Sequence, residues 1–173
     1  MRIFRTSSRD HQEILIRLPD KSIAVLLIGC SKTLPSPILR LERVSEEASV
    51  FASTVDFSAG DGKDAWIFDI DETLLSNLPY YIDHGFGVEV FDHSEFDKWV
   101  ERGVAPAIAP SLKLYQRVID LGYRVFLLAG RKESERVVTV ENLINAGFQN
   151  WDKLILTVFI LFSLLKMNSS YTR

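Results

Sequence analysis

Ala65-Trp66-Ile67-Phe68-Asp69-Ile70-Asp71-Glu72-Thr73-Leu74-Leu75-Ser76 is the stretch that decides the fold of this chain. Ala65 to Phe68 is an apolar run behind the turn-rich Gly60-Asp61-Gly62-Lys63-Asp64, the pattern of a strand buried on both faces of a parallel sheet. It ends in acids. Side chains alternate along a strand, so Asp69 and Asp71 share a side, and in open α/β sheets ligands sit at the carboxyl ends of the strands. An acidic turn that only caps the next element is the competing reading, and an isolated pair of acids would favour it. A buried strand leading straight into Asp-x-Asp-x-Thr, with Thr73 completing the pattern, favours a site.

Outward from this stretch the chain continues Leu74-Leu75-Ser76-Asn77-Leu78-Pro79-Tyr80-Tyr81, then Phe91-Asp92, Phe96-Asp97-Lys98-Trp99 and Ala105-Pro106-Ala107-Ile108. With its Asp-x-Asp-x-Thr after a hydrophobic strand the chain resembles the haloacid dehalogenase superfamily. Within it the continuation resembles the plant acid phosphatases related to vegetative storage proteins, of the class B type. The resemblance runs from about Asp61 to Leu156. It implies Asp69 as nucleophile, Asp71 as general acid/base and a small phosphate ester as substrate.

The chemistry of the residue types agrees with that implication. A carboxylate is a weak nucleophile but stays ionised at neutral and mildly acidic pH, and its attack on phosphorus splits hydrolysis into two easier steps. A second acid must then move the proton, a task for Asp71 if its pKa lies above that of its neighbour. Two acids so close together invite a divalent cation, Mg²⁺ by preference, with Asp69 and Asp71 as its ligands.

Other phosphatase chemistries fail on the sequence. A thiolate site needs Cys-x5-Arg, but Cys30 is the sole cysteine and Ser36 stands where the arginine would be. His11, His84 and His93 lack the neighbours of a histidine nucleophile and are too scattered for a dinuclear metal site. A single cysteine also excludes an internal disulfide. The net charge of −3, without a long basic run, gives no footprint for nucleic acid. Nothing in the sequence reports the oligomeric state.

Residues 1–22 are polar, mixed in charge and without clear periodicity, so residues 1–39 are expected to form a poorly ordered N-terminal segment. Ile23 to Gly29 is apolar but too short to span a membrane, and no stable membrane span is expected. It reaches the length of a signal-peptide apolar region, behind a segment that is long and contains acids. The resemblance implies a secreted or vacuolar protein. Leu41, Val44, Ala48, Phe51 and Val55 predict an amphipathic helix over 40–57.

Residues 76–110 are irregular and aromatic, with Tyr80, Tyr81, Phe86, Phe91, Phe96 and Trp99. In the superfamily an insert at this place is a cap over the site; packing within the insert accounts for most of these rings. Ser94 and Asp97 predict a capping box for a short helix stopped at Gly103. Pro110 opens a helix with Leu112, Tyr115, Val118 and Ile119 on one face, ended by Gly122. Tyr123 to Leu128 is a second buried strand that leads into Ala129-Gly130-Arg131. At this place the family has Thr-Gly-Arg or Ser-Gly-Arg, so the resemblance implies that Gly130 and Arg131 bind the phosphate, while Ala129 lacks the hydroxyl. Glu133 to Ala146 predicts a helix with Val137, Val140 and Ile144 inward, and Leu154 begins a third strand.

These elements predict an α/β fold, a three-layer parallel sheet of the haloacid dehalogenase type with a short cap insert after its first strand. The core is expected over 40–156 and an off-family apolar tail over 157–173. The family continues with a lysine that holds the phosphate and with an acidic motif on a fourth strand. Here no acid follows Asp152, and Lys166 lies beyond the apolar run Leu154 to Leu165. The sheet is therefore expected to be incomplete on its C-terminal side and the phosphatase impaired. A non-catalytic storage or phosphate-binding relative is the alternative.

Overall fold

Ala65–Asp69 forms a strand in the computed structural model, which describes residues 2–8, 11–18, 21–27, 37–54, 64–87 and 89–156. It is the fourth of a six-stranded sheet among the described residues: Arg2–Ser8 (β1), His11–Leu18 (β2), Lys21–Leu27 (β3), Ala65–Asp69 (β4), Arg124–Leu128 (β5) and Lys153–Ile155 (β6). The strands lie side by side in chain order. β1 to β3 run antiparallel, whereas β3 to β6 are parallel. The three predicted parallel strands are thus β4, β5 and β6.

The N-terminal region differs from expectation. Instead of an irregular segment it holds β1 and β2, and the signal-like run supplies β3. Ile14 stands opposite Val25 and Ile16 opposite Ile23, β-branched pairs that suit a pleated ladder. Ile14-Leu15-Ile16 and Ile23-Ala24-Val25 are unbroken apolar runs, so no alternation marked these strands in the sequence. Ile28 and Gly29, Val55 to Phe57 of the first predicted helix, and the apolar tail from Thr157 onward lie outside the described residues.

Helix α1, Pro37–Ala52, joins β3 to β4 and buries Val44, Ala48 and Ala52. Helix α4, Ala109–Asp120, buries Leu114, Tyr115 and Val118. Trp66 and Phe68 point from β4 into this core, where Phe68 meets Tyr115 at 5.4 Å between ring centroids and Trp66 meets Tyr123 edge-on. A ring enclosed as completely as Phe68 is worth about 3 to 5 kcal/mol against alanine. β4 is not buried on both faces as predicted: Ala65, Ile67 and Asp69, on the other face, are only half-buried. That partial exposure keeps Asp69 within reach of a ligand.

Between β4 and α4 lie two short helices, α2, Leu78–Asp83, and α3, His93–Glu101. Tyr80 is their hub: His84 stacks on it, and Tyr81, Phe91, Phe96 and Trp99 surround it. The rings therefore pack the insert together. The predicted capping box is absent. Asp92 caps α3 by accepting from the Ser94 backbone N–H at 2.8 Å, and Asp97 pairs instead with Lys132.

Helix α5, Arg136–Asn145, is preceded by a tighter turn over Glu133–Glu135, and it presents a different face inward from the predicted one. Val137 and Ile144 are exposed, and the buried positions are Thr139, Asn142 and Leu143. Asn142 holds both backbone groups of Ala105, accepting from its N–H at 3.1 Å and donating to its carbonyl at 2.8 Å, so α5 is tied to the segment that leaves the insert. Among the described residues no helix is long and apolar enough to cross a membrane.

Candidate active site

The loop after β4 is wound around the backbone of Ile70. Its N–H donates to the Leu128 carbonyl of β5 at 3.0 Å, and its carbonyl accepts from the N–H groups of Thr73, Leu74 and Leu75. Glu72 adopts a φ of 60°, a left-handed conformation costing about 1 to 2 kcal/mol in a residue other than glycine. Two bonds hold it there: its N–H donates to the Leu75 carbonyl, and its carboxylate accepts from the Asn77 N–H, both at 2.8 Å. Burial, more than the neighbouring Asp71, pushes the Glu72 carboxyl up from its ordinary pKa.

This loop brings Asp69, Asp71 and Thr73 together. Fully buried Thr73 donates its hydroxyl to Asp69 at 3.3 Å. Burial, and next the charge of Asp71, push the Asp69 pKa up to about 7; the Thr73 hydroxyl, the Ile70 backbone and Arg131 oppose the rise. The carboxyl that would act as nucleophile thus holds its proton more tightly than an ordinary aspartate.

Asp71 is surrounded differently. Arg131 grips it with both sides of its fork, Nη2 to Oδ1 at 2.7 Å and Nε to Oδ2 at 3.1 Å, and Asn77 donates its side-chain amide to Oδ1 at 3.0 Å. The Arg131 side chain is only 3% exposed, and its Nη1 donates to Thr139 of α5. Such a bidentate, charge-assisted pair is strong and fixes the plane of the carboxylate.

The β4–β5 register, with Asp69 opposite Leu128, sets Ala129-Gly130-Arg131 on the same rim. Gly130 is exposed there, while Ala129 is buried and offers only a methyl group. Every candidate residue therefore lies on one edge of the sheet, but Arg131, expected to face phosphate, is engaged by Asp71. Asn77 and Thr139 escaped sequence reasoning. Neither carried a distinct signal: Asn77 lies within Leu75-Ser76-Asn77-Leu78-Pro79, and Thr139 lies inside a helix.

Among the described residues no group of three or more His, Cys, Asp or Glu could hold a metal ion. A small hard cation that keeps most of its waters needs only one or two carboxylates from the protein. The donor set fits such an ion through Asp69 and Asp71, neighbouring carboxylates on one rim, with both oxygens of Asp71 also held by Arg131.

A family model described as HAD superfamily, subfamily IIIB (acid phosphatase) matches residues 39–160. Acid phosphatase 1 of Solanum lycopersicum is 63% identical over 122 residues, which cover 70% of this chain and 48% of that protein. The stem 28 kDa glycoprotein of Glycine max is 42% identical over 65% of this chain and 43% of its own length. Vegetative storage protein 2 of Arabidopsis thaliana is 38% identical, with the same coverage. The chain spans about half the length of the curated relatives it matches. Among solved structures, the class C acid phosphatase from Bacillus anthracis superposes with a TM-score of 0.60 at 18% identity, over 78% of this chain and 60% of that one. That likeness speaks to the fold.

Proposed function

The chain belongs to the acid phosphatases of HAD subfamily IIIB, and from that membership we propose that it is a phosphomonoesterase for a small phosphate ester, working through an aspartyl phosphate on Asp69. This family generally uses a divalent metal. Mg²⁺ is our assignment, with Asp69 as its direct ligand and Asp71 beside it; when bound it supplies the positive charge that Asp69 and the phosphate lack. We place the reacting core in residues 40–156, with 76–110 as its cap, 1–39 as a flanking segment and 157–173 as a tail.

The observation that carries this reading is the meeting of Asp69, Asp71 and Thr73 with Gly130 and Arg131 on one rim. Asp69, oriented by Thr73, attacks phosphorus in its ionised form as the bond to the leaving oxygen breaks. Burial pushes its pKa up to about 7, against the expectation of a fully ionised nucleophile, so added positive charge at the site must hold it ionised. Asp71 gives that oxygen a proton, then takes one from the water that hydrolyses the aspartyl phosphate and releases inorganic phosphate. Arg131 grips both carboxylate oxygens of Asp71, so an incoming phosphate must compete for its fork. Gly130 leaves room beside Arg131 for a phosphate oxygen.

The same ion pair, together with Ala129, favours a second reading, a storage or phosphate-binding relative in which Asp71 stays locked to Arg131 and turnover fails. Hydrolysis of an aryl phosphate with and without Mg²⁺ separates the two. Activity should exceed background, require the cation and vanish in Asp69→Asn, and a beryllium fluoride adduct should form on the unmutated protein alone. Activity that survives in Asp69→Asn removes the nucleophile assignment; an adduct without turnover establishes the second reading.

A further inference from the structure

We propose that Asn77 is a positioning residue for Asp71 and makes its placement depend on the cap. Its side-chain nitrogen donates to Asp71 Oδ1 at 3.0 Å, and its side-chain oxygen accepts from the Trp99 indole N–H at 2.9 Å. The orientation of the amide follows from its partners. An indole N–H can only donate and an ionised carboxylate can only accept, so one end of the amide must face each. The backbone aims it: the Asn77 N–H donates to Glu72 at 2.8 Å, and the Asn77 carbonyl accepts from the Tyr81 N–H at 3.1 Å.

Asn77 is 1% and Trp99 6% exposed, so this relay runs through a dry region where hydrogen bonds strengthen one another and a missing partner is costly. Trp99 belongs to α3, inside the insert, and packs against Tyr80. Asp71 is therefore held from two sides, by Arg131 from the loop after β5 and by Asn77 on behalf of the cap. Arg131 alone fixes the plane of the carboxylate. Asn77 adds a contact whose amide the Trp99 indole steadies, so a shifted cap loosens this hold on Asp71.

This inference rests on the phosphatase reading, and its test separates the two. Steady-state hydrolysis of an aryl phosphate is measured for the full chain and for Asn77→Ala, Trp99→Phe and the double variant, with the thermal midpoint as a folding control. Trp99→Phe keeps a ring in place and removes only the donor. Asn77→Ala should lower kcat about tenfold to a hundredfold with KM within about twofold, the loss of one charge-assisted bond. Trp99→Phe should lower kcat less, and the double variant should match Asn77→Ala. A second readout needs no turnover: the Trp99 indole N–H resonance, assigned by its absence in Trp99→Phe, should move in Asp71→Asn but not when Asn77 is already alanine. Additive losses, a loss confined to KM, or an indole resonance indifferent to Asp71→Asn would overturn the proposal. A chain no more active than Asp69→Asn would instead sink the phosphatase reading, and the indole resonance would still decide the relay.

Discussion

At the scale of single residues, Asp69 carries the plainest thermodynamic consequence of the site. Its pKa of about 7 in the folded chain lies above the ordinary carboxylate value, chiefly because burial disfavours the charge. The folded state therefore binds the proton more tightly than the unfolded one. The resulting stabilisation is present in full at pH below the ordinary aspartate range and is lost as pH rises through about 7. Asp69→Asn removes the charge and hence the slope. The variant should match the parent near pH 4 and exceed it near pH 8 by about 1 to 3 kcal/mol in denaturant unfolding. An equal difference at both pH values would show that the Asp69 carboxyl is not desolvated. That Asp69, Asp71, Thr73, Gly130 and Arg131 would meet on one rim was legible, because two apolar strands each run straight into these residues. That Arg131 grips Asp71, 60 residues away, depends on side-chain direction and on Thr139, which no linear pattern encodes.

Among the elements, α3 shows where pattern and structure part. Ser94 and Asp97 have the spacing of a capping box, yet the helix starts at His93 and Asp92 holds its first turn. Asp97 is drawn off to Lys132, a partner 35 residues away in sequence. Asp92→Ala should therefore destabilise the chain by about 1 kcal/mol, whereas Ser94→Ala, which keeps the backbone donor, should change it by less than about 0.5 kcal/mol. Thermal unfolding of both variants checks this, and the reverse order would restore the box. In α5 the apolar periodicity pointed Val137, Val140 and Ile144 inward, but Val137 and Ile144 are exposed and Val140 is only half-buried. Its inward face is instead partly polar, with Thr139 and Asn142 chosen for hydrogen bonds that hydropathy cannot reveal.

For the molecule as a whole, the question is what the first strands contribute. The family model begins at residue 39, so family resemblance alone would let the core stand without them. The sheet argues otherwise. β3 pairs in parallel with β4 along Ile23 to Leu26 opposite Ala65 to Phe68, and β4 is the strand whose end carries Asp69. Removing residues 1–36 would turn β4 into an edge, leaving a row of backbone donors and acceptors open to pairing with another chain. It would also open the flank of β4 beside Ile67 and Asp69, along which β3 pairs. A chain beginning at Pro37 should therefore unfold at a lower temperature and elute as concentration-dependent oligomers in size-exclusion chromatography. It should also lose the burial that raises the Asp69 pKa, so the stability gained from Asp69→Asn near pH 8 should shrink in the shortened background. A monomer with an unchanged midpoint and an undiminished Asp69 effect would mean that β4 does not depend on β3 and that residues 40–156 are sufficient for the site.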